Sequence, residues 1–404
     1  MLATHWVARI SILTLAHVAG TVPIVSVMAM APVIQRDLGL SVTQVGLLVS
    51  GYYIAQTIGA VPAGALADRI GVGRALLASH ALLIAGALAF SQADGFAAAV
   101  TATVVMGFGY SMVNPSTAKG ILTWFSARRR ATAMGVKQTG VPIGGVLAAA
   151  NGALVTLFSW QSIFVTVAGV IFVNGILCLM LVEPRRHAAR TSIAATIRQM
   201  LQVGRIPNIR VLFLANISWN MGQTNFYSYL TIFMREAAGA SQPVAGLVLG
   251  LAQVSSALGR IGWGVASDTL FGGARKWITV GLCGASVVLM LAMAAVEPGF
   301  GVLLGVVLAF GLGMTIASYA TLAQTLAVES VELGQSGAAL GYSLMGTSIG
   351  GVVGPPIFGA IVDYTGDFAD GWITTAIFVA LGTVMVAVAV RERHRAPPHT
   401  RARP

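Results

Sequence analysis

An all-α polytopic membrane protein, with twelve transmembrane helices in two pseudo-symmetric six-helix bundles, is the fold class that this 404-residue sequence predicts. Three observations predict it. With 56% hydrophobic and 9% charged residues, the chain cannot present a water-soluble surface. Its apolar stretches run to the roughly 20 residues a spanning helix needs and lack the alternation of a barrel, so helices are the way to satisfy every backbone group in lipid. The halves also repeat: at an offset of 200, Gly46, Leu47, Gly59, Gly64 and Asp68 fall on Gly246, Leu247, Gly259, Gly264 and Asp268.

Charged or turn-rich breaks divide the chain into spans at 10–33, 45–67, 75–93, 97–124, 132–157, 160–182, 210–234, 244–266, 276–296, 299–326, 336–362 and 372–390. The first has no short apolar core with a small-residue cleavage site, and Arg9 leads straight into it, so it reads as an uncleaved helix. Ser41 with Gln44 forms a capping-box pattern at the second, and Ser241 stands at the matching place before the eighth. Asn114-Pro115-Ser116 in the fourth, Pro142 in the fifth and Gly354-Pro355-Pro356 in the eleventh predict bends, because proline frees a carbonyl that neighbouring helices must satisfy. In the fifth and eleventh, Gly140, Gly144, Gly145, Gly346, Gly350 and Gly351 form small-residue seams suited to close or sliding helix contacts.

The only long hydrophilic link separates two bundles, giving units at 1–182 and 210–390, a linker at 183–209 and a basic tail at 391–404. Within the linker, residues 194–203 fit either an amphipathic helix on an anionic leaflet or a solvated segment. Lys plus Arg number 24 against 13 Asp plus Glu, and their location gives the excess its meaning. Arg9, Arg69, Arg74, Arg128 to Arg130, Arg275, Lys276, the linker and the tail share one side, against Arg36 and Arg235 on the other. The positive-inside rule therefore places both termini in the cytoplasm, in an inner (plasma) membrane, and requires an even number of crossings. Nucleic acid is not an expected partner. Cys178 and Cys283 fall inside spans and support neither a disulfide framework nor a metal site, and no cofactor is expected.

The stretch Gly64-Ala65-Leu66-Ala67-Asp68-Arg69-Ile70-Gly71-Val72-Gly73-Arg74 resembles the signature between the second and third helices of the major facilitator superfamily. Gly264-Val265-Ala266-Ser267-Asp268 with Arg275 and Lys276 resembles its second-half counterpart. The resemblance implies alternating access about a central site and a gating role for Gly64, Asp68, Arg69, Arg74, Gly264 and Asp268, the two carboxylates acting as cytoplasmic latches. It departs from the signature at Val72-Gly73, and no Arg directly follows Asp268.

Cargo is read from charge inside the bilayer, where an ionisable side chain costs about 2.5–3.5 kcal/mol and usually marks a pathway. Lys119, Lys137 and Arg260 are the candidates, and their repeat partners are Ala323, Ser343 and Ala60, so the scaffold itself requires no cation there. No carboxylate is expected at mid-span, and unpaired positive charge calls for an anionic guest. Gly259-Arg260-Ile261-Gly262-Trp263-Gly264 resembles the helix-8 pattern of the oxalate/formate antiporter and monocarboxylate branches, which implies that Arg260 contacts a substrate carboxylate. The alternatives are a structural role on loop carbonyls for Arg260 and snorkelling for the lysines. Asn114 beside Lys119, Gln138 beside Lys137, and Asn220, Gln223 and Tyr227 supply further polar or aromatic lining, with Asn216, Asn220 and Gln223 spaced to face one cavity. His17 is a candidate carrier of a coupling proton or a neutral packing histidine.

The sequence therefore reads as a secondary transporter of a small organic anion, a carboxylate, by proton symport or anion exchange. A multidrug efflux carrier of the same superfamily is the alternative, and it would call for an acidic cavity residue. An enzyme or receptor is not supported, since no nucleophile and base constellation or large extramembrane domain is visible. A monomer is compatible with this reading.

Overall fold

The computed structural model describes residues 6–182, 193–296 and 301–391, and among them there is no strand. The first half contains α1 (Trp6–Ala29), the short α2 (Ala31–Leu38), α3 (Val42–Ile70), α4 (Val72–Ser91), α5 (Phe96–Ser111), α6 (Val113–Trp124), α7 (Ala127–Gln138), α8 (Gly140–Leu154) and α9 (Trp160–Cys178). After α10 (Ile193–Val203), the second half contains α11 (Pro207–Glu236), α12 (Gln242–Thr269), α13 (Lys276–Ala294), α14 (Gly301–Met314), α15 (Ala320–Glu329), α16 (Ser336–Thr365) and α17 (Phe368–Ala389). Taking α5 with α6, α7 with α8 and α14 with α15 as broken spans gives twelve crossings in two six-helix bundles. Large apolar side chains such as Leu157, Val288, Leu303 and Val388 point outward, as a lipid-facing wall requires.

Local chemistry accounts for the ends and breaks. At α3 the capping box forms: Gln44 N–H donates to Ser41 Oγ at 3.2 Å, and Ser41 N–H donates to Gln44 Oε1 at 2.9 Å. Ser241 takes the matching place before α12 without a side-chain cap bond, and Pro243 removes one of the orphan donors there. The fourth span breaks at Met112, one turn before Pro115, and the fifth at Thr139, before Pro142. The eleventh differs from expectation, since α16 runs unbroken through Pro355 and Pro356. Pro356 has no N–H for the Val352 carbonyl, and Ser50 of α3 donates to that oxygen at 2.6 Å. A hydroxyl from the opposite bundle thus replaces the missing helical bond.

The tenth span breaks where no proline occurs, between Met314 and Ala320. Sequence reading took 299–326 as one helix; the structure corrects this, because donors from α11 and α12 satisfy the freed carbonyls. The repeat offset of 204, which carries Gly107 to Gly311, carries the Met112 break to Ile316.

The bundles meet closely at the end away from the basic residues. There α3 packs along α16, and α8 along α12. Gly152 and Gly246 lie backbone to backbone, so that a methyl on Gly152 would sit 2.7 Å from the Gly246 Cα. Gln242 Nε2 donates to the carbonyls of Ala29 and Gly152, both at 3.1 Å, and Thr231 Oγ1 donates to Met28 O at 2.5 Å. Asp363 of α16 caps the N-terminus of α3 from the other bundle: Oδ1 accepts from Val42 N–H at 2.9 Å, and Oδ2 accepts from Thr43 N–H at 2.8 Å and Thr43 Oγ1 at 2.5 Å. A carboxylate on a helix N-terminus has both the dipole and charge-assisted hydrogen bonds in its favour. Asp363→Asn is expected to weaken this seal by about 1–2 kcal/mol, a roughly 5- to 30-fold population shift. Spin labels at Asp37 and Tyr364 would then show a longer distance component; an unchanged distribution would exclude Asp363 as a latch.

Residues 183–192 and 392–404, the first part of the expected linker and nearly all of the expected tail, lie outside the described residues. In α10, Val203 is buried and Met200 packs on Gly341 of α16, while Ile197 and Leu201 face outward.

Candidate functional site

Between α7 and α8 on one side and α12, α15 and α16 on the other lies a cavity of about 990 Å³ whose lining extends toward the basic end. Its lining includes Gln138, Thr139, Gln253, Arg260, Thr321, Gln324 and, at the mouth, Glu329.

Arg260 is fixed by the break in the tenth span. Its Nη2 donates to the Ala317 carbonyl at 3.2 Å, as do Gln223 Nε2 at 3.1 Å and Ser256 Oγ at 2.8 Å; Trp263 Nε1 takes the Met314 carbonyl at 2.8 Å. An unwound segment exposes carbonyls that would be costly in lipid, and α11 and α12 answer them with amide, hydroxyl, indole and guanidinium donors. No carboxylate lies within ion-pair distance of Arg260 among the described residues. One bond from a group with five donors leaves a partly exposed planar fork capable of bidentate carboxylate binding. Four tyrosines, Tyr53, Tyr110, Tyr227 and Tyr319, come from both bundles and lie within electrostatic reach of the guanidinium. Of these, sequence reading found only Tyr227. The Tyr227 and Tyr319 hydroxyls are buried.

Lys137 lies elsewhere, 2% exposed inside the first bundle. Its Nζ donates to Asn114 Oδ1 at 2.7 Å and Thr117 Oγ1 at 3.2 Å, and His17 Nε2 lies 3.0 Å from the same hydroxyl. Gln138, its chain neighbour, instead points into the cavity. The expectation that the two share a surface is therefore corrected, since adjacent helical residues point about 100° apart.

Lys119 requires a second correction. Its Nζ donates to the Ala67 carbonyl and pairs with Asp68 Oδ1, both at 2.9 Å, so it is not an unpaired charge. The long lysine stem reaches a carboxylate at the basic end of α3, a partner missed when spans were read one at a time. At the equivalent place in the other half, Arg275 pairs with Asp268 at 2.5 Å, donates to Ser267 Oγ at 2.6 Å and lies 3.8 Å from Glu329. Both aspartates are thus tied within their own bundles. Arg69 is exposed, Arg74 Nη1 donates to the Ile70 carbonyl at 3.3 Å, a methyl on Gly64 would meet Pro115 at 3.9 Å, and Gly264 has open space around it.

The expectation of one polar cavity face on α11 also changes. Asn216 donates to Ser343 Oγ at 2.8 Å and Asn220 to the Thr347 carbonyl at 2.7 Å, both knitting α11 to α16; only Gln223 turns toward Arg260. Buried amides beside a helix that carries free acceptors satisfy those before they line a cavity. His80 joins α4 to α9 through Asn174, at 2.6 Å.

Two pseudo-symmetric six-helix bundles, sealed at one end around a cavity that holds polar groups from both, define a membrane carrier rather than an enzyme. The chain belongs to the Major Facilitator Superfamily, whose family model matches residues 12–233 and again 211–404. It is 26% identical to the hexuronate transporter of Bacillus subtilis over 377 residues, 88% of each chain. It is 25% identical to monocarboxylate transporter 13 of Bos taurus over 333 residues, covering 81% of this chain and 76% of that one. Among solved structures, a bacterial homologue of the human lysosomal transporter Spinster superposes with a TM-score of 0.77 at 16% identity, over 95% of this chain and 97% of that one. At that identity the likeness concerns fold alone.

Proposed function

We propose that this chain moves a small organic acid across an inner membrane by alternating access, with Arg260 as the carboxylate-binding group. The observation that carries the reading is a guanidinium at the central cavity, held by a backbone carbonyl and facing no carboxylate. A desolvated cation of that kind favours an anionic guest, and planar guanidinium geometry favours a carboxylate. Relatives named for hexuronate and monocarboxylate transport support the same chemistry. Gln138, Gln253 and Gln324, on the cavity wall, offer amide partners that suit a hydroxylated acid.

With the basic end cytoplasmic, the arrangement is the inward-open state. Asp68 and Asp268, with Gly64, Arg69, Arg74 and Gly264, then form the gate that closes when the bundles rock, and Asp363 holds the outer seal. Transport is coupled to a proton or to a counter-anion.

Purified protein in proteoliposomes, supplied with labelled glucuronate, is expected to take it up, with unlabelled lactate and galacturonate competing and neutral glucose failing to compete. Competition by glucose equal to that by the acids would remove the carboxylate from the recognition and with it the role of Arg260.

A further inference from the structure

We infer that Gln253 is the specificity-determining residue of the cavity: its amide takes a hydroxyl of the cargo about one helical turn from the carboxylate held by Arg260, so the cargo is a polyhydroxylated acid of sugar-acid size. This rests on the carboxylate reading of Arg260 and names the acid which that reading leaves open. Gln253 lines the cavity and is only 8% exposed. The other buried amide side chains among the described residues are bonded: Asn151 to Ser26, Asn174 to His80, Asn216 to Ser343, Asn220 to Thr347, Asn225 to Thr375 and Gln242 to two carbonyls. Gln253 alone has no hydrogen bond among those residues. Buried amides are paired as a rule, because an unmet donor or acceptor is costly. An open cavity hydrates such an amide; closure over cargo expels that water and leaves the cargo as its partner.

Its place sets what it can read. Two turns from the Gly152–Gly246 contact of the seal, α8 and α12 touch again at Gly145 and Gln253, where a methyl on Gly145 would stand 2.6 Å from the Gln253 Cδ. Of the α12 residues on the cavity wall, Gln253 comes first in the chain and so lies nearest the seal. Arg260 follows seven residues later, on the same face, since seven helical steps fall about 20° short of two full turns. Arg260 Nη2 and Ser256 Oγ donate to the same Ala317 carbonyl, so the guanidinium reaches back to the level of Ser256. Gln253 is three residues further in, about 4.5 Å of helix rise. A molecule several bonds long can thus touch both. The amide supplies an acceptor and donors, as a hydroxyl needs. Arg260 is the one basic residue on the cavity wall among the described residues, so a second carboxylate would find no counter-charge there.

The repeat serves as an internal control. At an offset of 200 Gln253 corresponds to Tyr53, and at 206 Gly145 corresponds to Gly351. Tyr53 packs on Gly351 as Gln253 does on Gly145, its Cγ 3.5 Å from where a methyl on that glycine would stand. An aromatic ring completes the same seam in the other half, so packing needs a side chain against the glycine but not an amide. Arg260 departs from the repeat in the same way, in the place of Ala60. Both departures on α12 face the cavity.

The test uses proteoliposomes and two acids of like size: labelled glucuronate, read as its KM for uptake, and cyclohexanecarboxylate, which keeps the six-membered ring and the carboxylate but has no hydroxyl, read as its inhibition constant. In the parent, cyclohexanecarboxylate is expected to compete at least about tenfold more weakly than unlabelled glucuronate. Gln253→Leu is expected to raise the KM for glucuronate about tenfold while the inhibition constant of cyclohexanecarboxylate stays within about threefold, because only the hydroxylated acid loses a partner. Gln253→Met, closer to glutamine in length and shape, is expected to behave likewise and carries the test if the leucine variant does not fold. A KM unchanged in either folded variant, or equal weakening of both acids, overturns the proposal and returns Gln253 to packing against Gly145. Cyclohexanecarboxylate competing as well as glucuronate in the parent overturns it too. Glucose competing as well as the acids would instead sink the carboxylate reading of Arg260.

Discussion

Arg260→Ala is expected to lower acid transport by about 100-fold or more, and Arg260→Lys by about 10- to 100-fold, with the protein still folded. Removing one partner of a desolvated charge pair costs about 3–5 kcal/mol, because the carboxylate is left without a counter-charge. Lysine keeps the charge but loses the planar fork, and a hydrogen bond to a charged group is worth about 1.5–3 kcal/mol. At about 1.4 kcal/mol per tenfold, these figures give the quoted ranges. Folding is spared because Gln223 and Ser256 remain as donors to Ala317 when Arg260 is gone. Initial uptake rates across a range of acid concentrations check this, alongside a thermal unfolding curve. An Arg260→Lys rate equal to the parent would show that bidentate binding plays no part.

Gly46→Trp and Gly246→Trp are expected to abolish transport by preventing the outer seal from closing. The seam there is backbone against backbone. A methyl on Gly46 would collide with the Tyr229 hydroxyl and stand 2.6 Å from the Pro355 carbonyl, and one on Gly246 would lie 2.9 Å from Gly152. Overpacking of a well-fitted contact costs about 1–3 kcal/mol, and an indole has no nearby space to enter, so the upper figure applies. That corresponds to about a hundredfold fewer molecules in the sealed state. A cysteine at Thr325, on the cavity wall near the basic end, reports the shift. In inverted vesicles it should react readily with a membrane-impermeant maleimide in the parent and slowly in either tryptophan variant. Equal labelling rates would rule out this seam as the outer gate.

Interactions within one span were readable before any coordinates. The α3 capping box, the helix breaks before Pro115 and Pro142, and the repeat that pairs Gly46 with Gly246 all rest on neighbours or on fixed offsets. The break in the tenth span was not read directly, because no proline causes it; four donors from α11 and α12 stabilise its carbonyls. Lys119 shows the same limit. Alone it reads as a free cation, and only the approach of α3 to α6 brings Asp68 to it. Asn220 was misplaced for a related reason, since the sequence gives its helical face but not that Thr347 offers an acceptor on the adjoining helix.

The sequence by itself determined the solvent, the helical class, the twofold repeat and which basic residues interrupt it, because hydropathy and periodicity are summed along the chain. Tertiary structure decided which of those charges is paired, which is buried among neutral groups and which faces the cavity. Burial and counter-charge depend on atoms far apart in sequence, and a few ångströms decide whether a charge is paired.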